Sequence, residues 1–355
     1  MTFNGIWEAK LLHRQQKILI LRFSSFGDVT QALSIPSHIK NMFPNSEVHW
    51  AVRADLKDLL WGHPHIDKVH LLDRKLGFSG LCKLILLLNK EKFTHVYDAH
   101  NNLRSHLISW GLRPPLNIFR VFNPPEFIRK SQFRLKRFLL FKFRKNTYEM
   151  PFSGQRDLLK PLTKWGIPFS LPEPPQIFIK PEDQKKAKDL LTQNQMSSFV
   201  ALAPSAAFPL KRWPLEYWKK LVLLESSQKF VVLGGPEDSW TQELQAIDPL
   251  RILNLAGRLS LGESAAVVEQ SQALIANDTG LLHVGEQLGK STIALMGPAP
   301  FGFPSRKKTR ILQLALECRP CSKHGQGPCV NSQFQLCLVG ISPEKVQSEL
   351  TRILK

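Results

Sequence analysis

Four short polar loops carry most of the residues in this chain whose types and spacing suit chemistry on an anion. Each follows an apolar run, as a loop does at the carboxyl end of a strand, where open α/β sheets bind ligands. The first is Ser24-Ser25-Phe26-Gly27-Asp28. Its carboxylate is placed to act as a general base, although an Asp ahead of a helix is also an ordinary cap. In the second, Ala203 to Ala207 running on to Lys211-Arg212-Trp213-Pro214, Ser205 can hydrogen-bond a phosphate and Lys211 offers a mobile charge for a diphosphate. The alternative there is a surface turn before a helix starting near Pro214. The third, Gly234-Gly235-Pro236-Glu237-Asp238, puts Glu237 where ribose hydroxyls would be read, with helix capping by either acid as the competing account. The fourth is Asn277-Asp278-Thr279-Gly280-Leu281-Leu282-His283. Asp278 or Thr279 can cap the helix that follows, Gly280 allows a ligand close, and the first-turn N–H groups attract an anion. His283 lies four residues after Thr279, on the same helix face. None of these loops holds an Asp-x-Asp pair for a divalent ion, so Lys211 and the helix N-terminus must supply the positive potential.

Alternating elements are needed to position these loops. Lys17 to Arg22 reads as a first strand, followed by helical periodicity through Met42 that Pro36 divides, since proline fits a first turn better than a helix interior. Further strands are expected at 47–52, 68–72, 94–98 and 117–121, with helices such as 81–89 between them. After Pro168 to Pro175, a linker because clustered prolines continue neither kind of ladder, the alternation resumes. Strands are expected at 199–203, 229–233, 273–276 and 292–296, and helices at 215–224, 241–246 and up to Leu288. Ser342 to Leu354 reads as a terminal helix with Ser342 as N-cap and Pro343 in its first turn. The expected architecture is α/β, two Rossmann-like doubly wound domains over residues 1–170 and 171–355, the terminal helix able to pack back on the N-terminal domain.

The length of 355 residues suits two domains, and no apolar run reaches the roughly 18 residues that span a bilayer. The N-terminal stretch has neither a long apolar core nor a small-residue cleavage site, so a cytoplasmic location is expected. Lysine and arginine number 48 against 29 acids, a net charge of +19 that favours an anionic partner without naming it. The charge concentrates between Arg113 and Lys145, interleaved with phenylalanine and leucine. Such a segment fits a membrane-surface helix, or equally a core helix with a solvated basic face.

Five ordered motifs together resemble glycosyltransferase family nine, the bacterial lipopolysaccharide heptosyltransferases, most similar to the second-heptose type. They are Leu21 to Asp28, Lys211 to Pro214, Gly234 to Glu237, Leu255-Ala256-Gly257 and Asn277 to His283. The resemblance implies a GT-B fold, two domains facing across a cleft, acceptor on the N-terminal side and donor on the C-terminal side. It implies inverting transfer of L,D-heptose from ADP-heptose to the lipid A-core acceptor, at the inner face of the inner membrane, without metal or other cofactor. By that carry-over Asp28 is the catalytic base, and Ser24, Ser25, Gly27 and Arg120 serve the acceptor. Ser205 and Lys211 hold the diphosphate, Glu237 the ribose, and Asp278, Thr279, Gly280 and His283 the phosphates and heptose. The chain departs from the pattern at Ala206-Ala207, where related enzymes often have a hydroxyl.

Cys318, Cys321, Cys329 and Cys337 form a separate cluster. The first two have the spacing of zinc or iron-sulfur ligands while the later two stand singly; the alternative is a set of reduced thiols. Two other functions remain open: a transferase or epimerase acting on another nucleotide sugar, and a basic nucleic-acid-binding protein. The latter lacks a legible helix-turn-helix or RNA-recognition motif, and no nucleic-acid partner is expected.

Overall fold

The computed structural model describes residues 15–113 and 124–355; the strand expected at 117–121 and the acceptor candidate Arg120 lie outside them. Along the chain run β1 (Lys17–Leu21), α1 (Phe26–Ala32), α2 (Ser34–Met42), β2 (Glu47–Arg53), β3 (Lys68–Leu72), α3 (Gly77–Lys90), β4 (His95–Asp98), α4 (Leu103–Gly111), β5 (Glu126–Arg129), α5 (Arg134–Phe143) and α6 (Gly154–Leu159). There follow α7 (Pro181–Gln193), β6 (Val200–Ala203), α8 (Leu215–Leu224), β7 (Phe230–Val232), α9 (Gln242–Gln245), β8 (Ile252–Asn254), α10 (Leu261–Gln270), β9 (Ala273–Asn277) and α11 (Gly280–Leu288). The chain ends with β10 (Thr292–Leu295), β11 (Thr309–Leu312), α12 (Leu336–Val339) and α13 (Pro343–Leu354).

The strands form two parallel sheets, ordered β3-β2-β1-β4-β5 and β11-β10-β9-β6-β7-β8. Leu19 lies opposite His49 and Val96 in the first; Leu202 lies opposite Val232 and Ile275 in the second. Central strands are apolar on both faces because helices cover both: Ile18 to Leu21 and Ala273 to Ala276 are fully buried. Strand order reverses between β1 and β4 in the first sheet and between β6 and β9 in the second. A crevice opens outside the carboxyl ends of the strands at such a point.

Three strands escaped sequence reading, β5, β8 and β11, and all three are sheet edges of three or four residues. Short edges of mixed polarity carry too few residues for a periodic signal. The break in the first helical stretch falls at Leu33, with Pro36 inside the first turn of α2.

Two compact units emerge, one of residues up to Gln132 plus Arg156–Pro172, the other of Phe133–Gln155 plus Glu173–Lys355. The first is therefore not the unbroken stretch 1–170. Phe133, Tyr148 and Phe152 belong with the second unit because they build an aromatic cluster on Phe301, with Tyr148 and Phe152 5.4 and 5.3 Å from its ring. Helix α13 packs on its own unit. Val346 and Leu350 enter the core that holds Trp213 and Trp218, and Glu344 pairs with Lys220 at 2.5 Å. Ser342 caps it, its hydroxyl accepting from the Lys345 N–H.

Candidate functional site

In the first unit the chain leaves β1 through Phe23 and Ser24 and enters α1 at Ser25. Asp28 is the third helical residue. Its Oδ2 accepts from the Ser25 N–H at 3.1 Å and the Ser25 hydroxyl at 2.8 Å, so the capping account of Asp28 holds. Capping uses only one oxygen. Oδ1 faces the Arg22 guanidinium at 2.8 Å, and Arg22 is anchored by donating to the Ala99 carbonyl at 2.6 Å. The side chain stays 48% exposed. Burial alone would raise its pKa, but Arg22, Lys130 and the Ser25 bonds outweigh it and hold the carboxyl well below the usual range. Asp28 is thus ionised and ready to accept a proton at any physiological pH, at some cost in intrinsic basicity.

Sequence reading gave no role to the groups around it. Lys130, just past β5, pairs with Asp157 on α6 at 2.9 Å. Its own pKa is pulled down by burial and supported by Asp157. His100 follows β4, the neighbour of β1 across the switch point, with its ring edge-on to Phe23 at 5.5 Å. Burial and then Arg22 lower it to about 4, so it is neutral at pH 7. Asp98, fully buried, folds this loop by accepting from the N–H groups of His100 and Asn101 and from Arg129.

In the second unit the candidate donor residues gather at the ends of β6, β7 and β9, three adjacent strands. Asn277 ties two loops together, donating to the Pro204 carbonyl at 2.6 Å and accepting from the Trp213 N–H. That places Lys211 beside Asp278, Nζ to Oδ2 2.7 Å, the pair 16% and 7% exposed. Thr279 is the residue at the N-cap of α11, and its hydroxyl makes no capping bond to the first turn. His283 and Asp278 converge on Gly302, which has φ +89: a Cβ there would sit 3.3 Å from Asp278 Oδ1 and 3.6 Å from His283 Nε2. His283 is buried, with Nδ1 3.8 Å from Glu286. Glu286 in turn accepts from the Ser305 and Arg306 N–H groups and from Gln155.

After β7 the two acids divide their roles. Asp238 is buried and accepts from the Gly235 N–H at 2.7 Å, holding the turn, while Glu237 stays exposed at its tip. The loop is clamped to Leu255-Ala256-Gly257 by a bond from the Gly257 N–H to the Gly234 carbonyl. Ser205 is half-buried directly after β6. The Ala206 carbonyl accepts from the Arg212 guanidinium at 2.8 Å, which steadies the loop.

The four clustered cysteines are free thiols, Cys337 buried and the others half-buried. Burial raises Cys337 to about 11 and shifts Cys321 upward, which makes both poor nucleophiles. Among the described residues, the group of possible metal ligands within 4.8 Å of one another is instead His49, His70 and Glu91. There Lys17 and Lys68 already pair with Glu91, and His49 bridges Glu47 and His70 at 2.6 and 2.9 Å. Elsewhere in the second unit a cavity of about 720 Å³ is lined by Met150, Pro151, Phe303, Leu316 and Arg319, among others; none of the candidate donor residues lines it. No helix among the described residues is long and apolar enough to cross a membrane.

The profile of glycosyltransferase family 9 (heptosyltransferase) matches residues 81–328. Lipopolysaccharide heptosyltransferase 2 of Escherichia coli (strain K12) is 23% identical over 95% of this chain and 98% of its own length. Lipooligosaccharide heptosyltransferase 2 of Haemophilus ducreyi is 25% identical over 95% and 99%. Among solved structures, a family 9 glycosyl transferase from Veillonella parvula superposes with a TM-score of 0.76 at 21% identity, covering 96% of this chain and 97% of that one. The E. coli ADP-heptose lps heptosyltransferase II gives 0.68 at 20% identity, covering 96% and 98%. The two doubly wound units are those of the GT-B fold.

Proposed function

Because the chain belongs to glycosyltransferase family 9, the heptosyltransferases, we propose that it transfers L,D-heptose from ADP-heptose to the inner core of lipopolysaccharide with inversion at the anomeric carbon. The acceptor is lipid-borne, so the enzyme works at the inner face of the inner membrane. The relatives at 23% and 25% identity, matched along nearly their whole length, support this over an epimerase or a transferase of another sugar.

The observation that carries the reading is the buried Lys211–Asp278 pair beside the first turn of α11. A diphosphate bound at the helix N-terminus competes with Asp278 for Lys211, and Asp278 is then released to accept from heptose hydroxyls. Glu237 reads the ribose, and Ser205, Thr279 and Gly280 line the phosphates, with His283 behind them. The acceptor hydroxyl gives its proton to Asp28 while its oxygen attacks the anomeric carbon, and the bond to ADP breaks. Charge developing on the departing diphosphate is met by Lys211 and the α11 N–H groups. Ser24, Ser25, Gly27 and Arg120 serve the acceptor.

A panel of nucleotide sugars tests the donor. ADP-heptose should raise the melting temperature most, because a ligand that binds only the folded state stabilises it by mass action. Greater stabilisation by a uridine or guanosine sugar would overturn the donor assignment.

A further inference from the structure

Helix α5 and its flanks are built with two apolar faces, and only one is used by the fold. Toward the second unit, Leu140 is buried, Phe141 meets Phe301 at 6.5 Å and the Arg137 guanidinium lies 4.9 Å over the Phe301 ring. On the opposite side Leu135, Phe138 and Phe143 stand 69%, 55% and 61% exposed. Phe138 and Phe143 touch edge to face at 5.5 Å, making one aromatic wedge. A satisfied core helix would leave that face polar.

The charges around the wedge have one sign. From Phe133 to Tyr148 the chain holds Arg134, Lys136, Arg137, Lys142, Arg144 and Lys145 and no acid. Lys136 holds its ammonium over the Phe133 and Tyr148 rings, 5.5 and 5.6 Å from their centroids, while Lys142, Arg144 and Lys145 stand exposed. A short helix with large apolar side chains on its open face and a cationic rim matches a bilayer interface, where rings sink below the headgroups and cations meet lipid phosphates. A polyanion such as RNA would answer the charge but leave the wedge in water.

We propose that the outer face of α5, with Leu135, Phe138 and Phe143 as the wedge and Lys142, Arg144 and Lys145 as the rim, docks the second unit on an anionic lipid surface. The inference rests on the lipid-borne acceptor of the proposed function for its use, but not for its physics. The donor-holding unit would thereby be kept at the surface where the acceptor lies.

The test is sedimentation of the full chain with vesicles of phosphatidylcholine containing about one third phosphatidylglycerol, against pure phosphatidylcholine, at low and high salt. Binding should require the anionic lipid and weaken with salt. L135E/F138E/F143E should reduce it about tenfold or more, and K142Q/K145Q about fivefold per charge removed. An unchanged melting curve and unchanged stabilisation by ADP-heptose show that the triple variant is folded and that the donor reading stands or falls separately. Equal binding to both vesicle types, no binding by the parent protein, or full binding by the folded triple variant would overturn the proposal. So would tight binding to single-stranded RNA that the triple variant retains, with weak binding to vesicles.

Discussion

Asp28 is held in an environment that keeps it charged, and this sets what its removal should do. Asp28→Ala should lower kcat by about a hundred- to ten-thousandfold, the usual worth of a positioned base. ADP-heptose binding, measured by thermal shift, should be unchanged because Asp28 belongs to the other unit. The pH profile follows from the same contacts. With Arg22 and Lys130 beside it, Asp28 has a depressed pKa, so the acid limb of kcat/KM should lie below the ordinary carboxylate range. Arg22→Met removes the closer cation and should move that limb upward; an unmoved limb would show that another group controls it. Lys211→Ala removes a charge-assisted contact and should weaken ADP binding about ten- to a hundredfold.

The same residues show how far sequence reading reaches. Asp28, Lys211 and Asp278 were legible because each sits in a short motif beside a strand and a helix. The groups that tune them were not. Lys130 is hidden within a long basic run, and Asp157 lies in no motif; only the fold brings them together at 2.9 Å. The sequence singled out Glu237 for the ribose but left the capping role open between the two acids; the turn gives the buried, bonded position to Asp238.

At the scale of elements, the donor loops are fixed against each other by close backbone approach. Gly257 has φ +74, and a Cβ there would lie 2.9 Å from the Cα of Pro236, which is backbone and cannot rotate away. Gly257→Ala should therefore destabilise the protein by at least about 1 kcal/mol, read as a lower melting temperature, and should weaken nucleotide binding through the displaced Glu237 loop. A melting curve identical to the parent would show that the two loops are not coupled. Most central strands could be anticipated because buried parallel strands are continuous apolar runs. Edge strands such as β8, only Ile-Leu-Asn, carry no such mark.

At the scale of the molecule, the chain passes between its two units three times, near 132, 155 and 172. The prolines at 168–175 announced the last crossing. The first two were not legible, since the aromatic residues that commit Phe133–Gln155 to the second unit read equally as a surface patch. Residues 173–355 expressed alone should accordingly melt below the whole chain, having lost the Tyr148 and Phe152 packing on Phe301.

Acid should act on the first unit. His63, His70, His95 and His100, all within it, are lowered to about 4, chiefly by burial. Between pH about 6.5 and 4 the unfolded chain binds protons that the folded one does not, so stability falls as pH falls through that window. Hydrogen exchange at pH 5 should show protection lost first in β1 to β4; equal loss in β6 to β10 would contradict this.

The transfer reaction itself is the most direct measurement. Purified protein is incubated with ADP-heptose and truncated, water-soluble core acceptors, and the products are read by mass and anomeric configuration. One heptose of inverted configuration should be added, and this product should be lost in Asp28→Ala while ADP-heptose still binds. Transfer at the parent rate by Asp28→Ala, a retained configuration, or transfer from a uridine sugar in preference to ADP-heptose would contradict this.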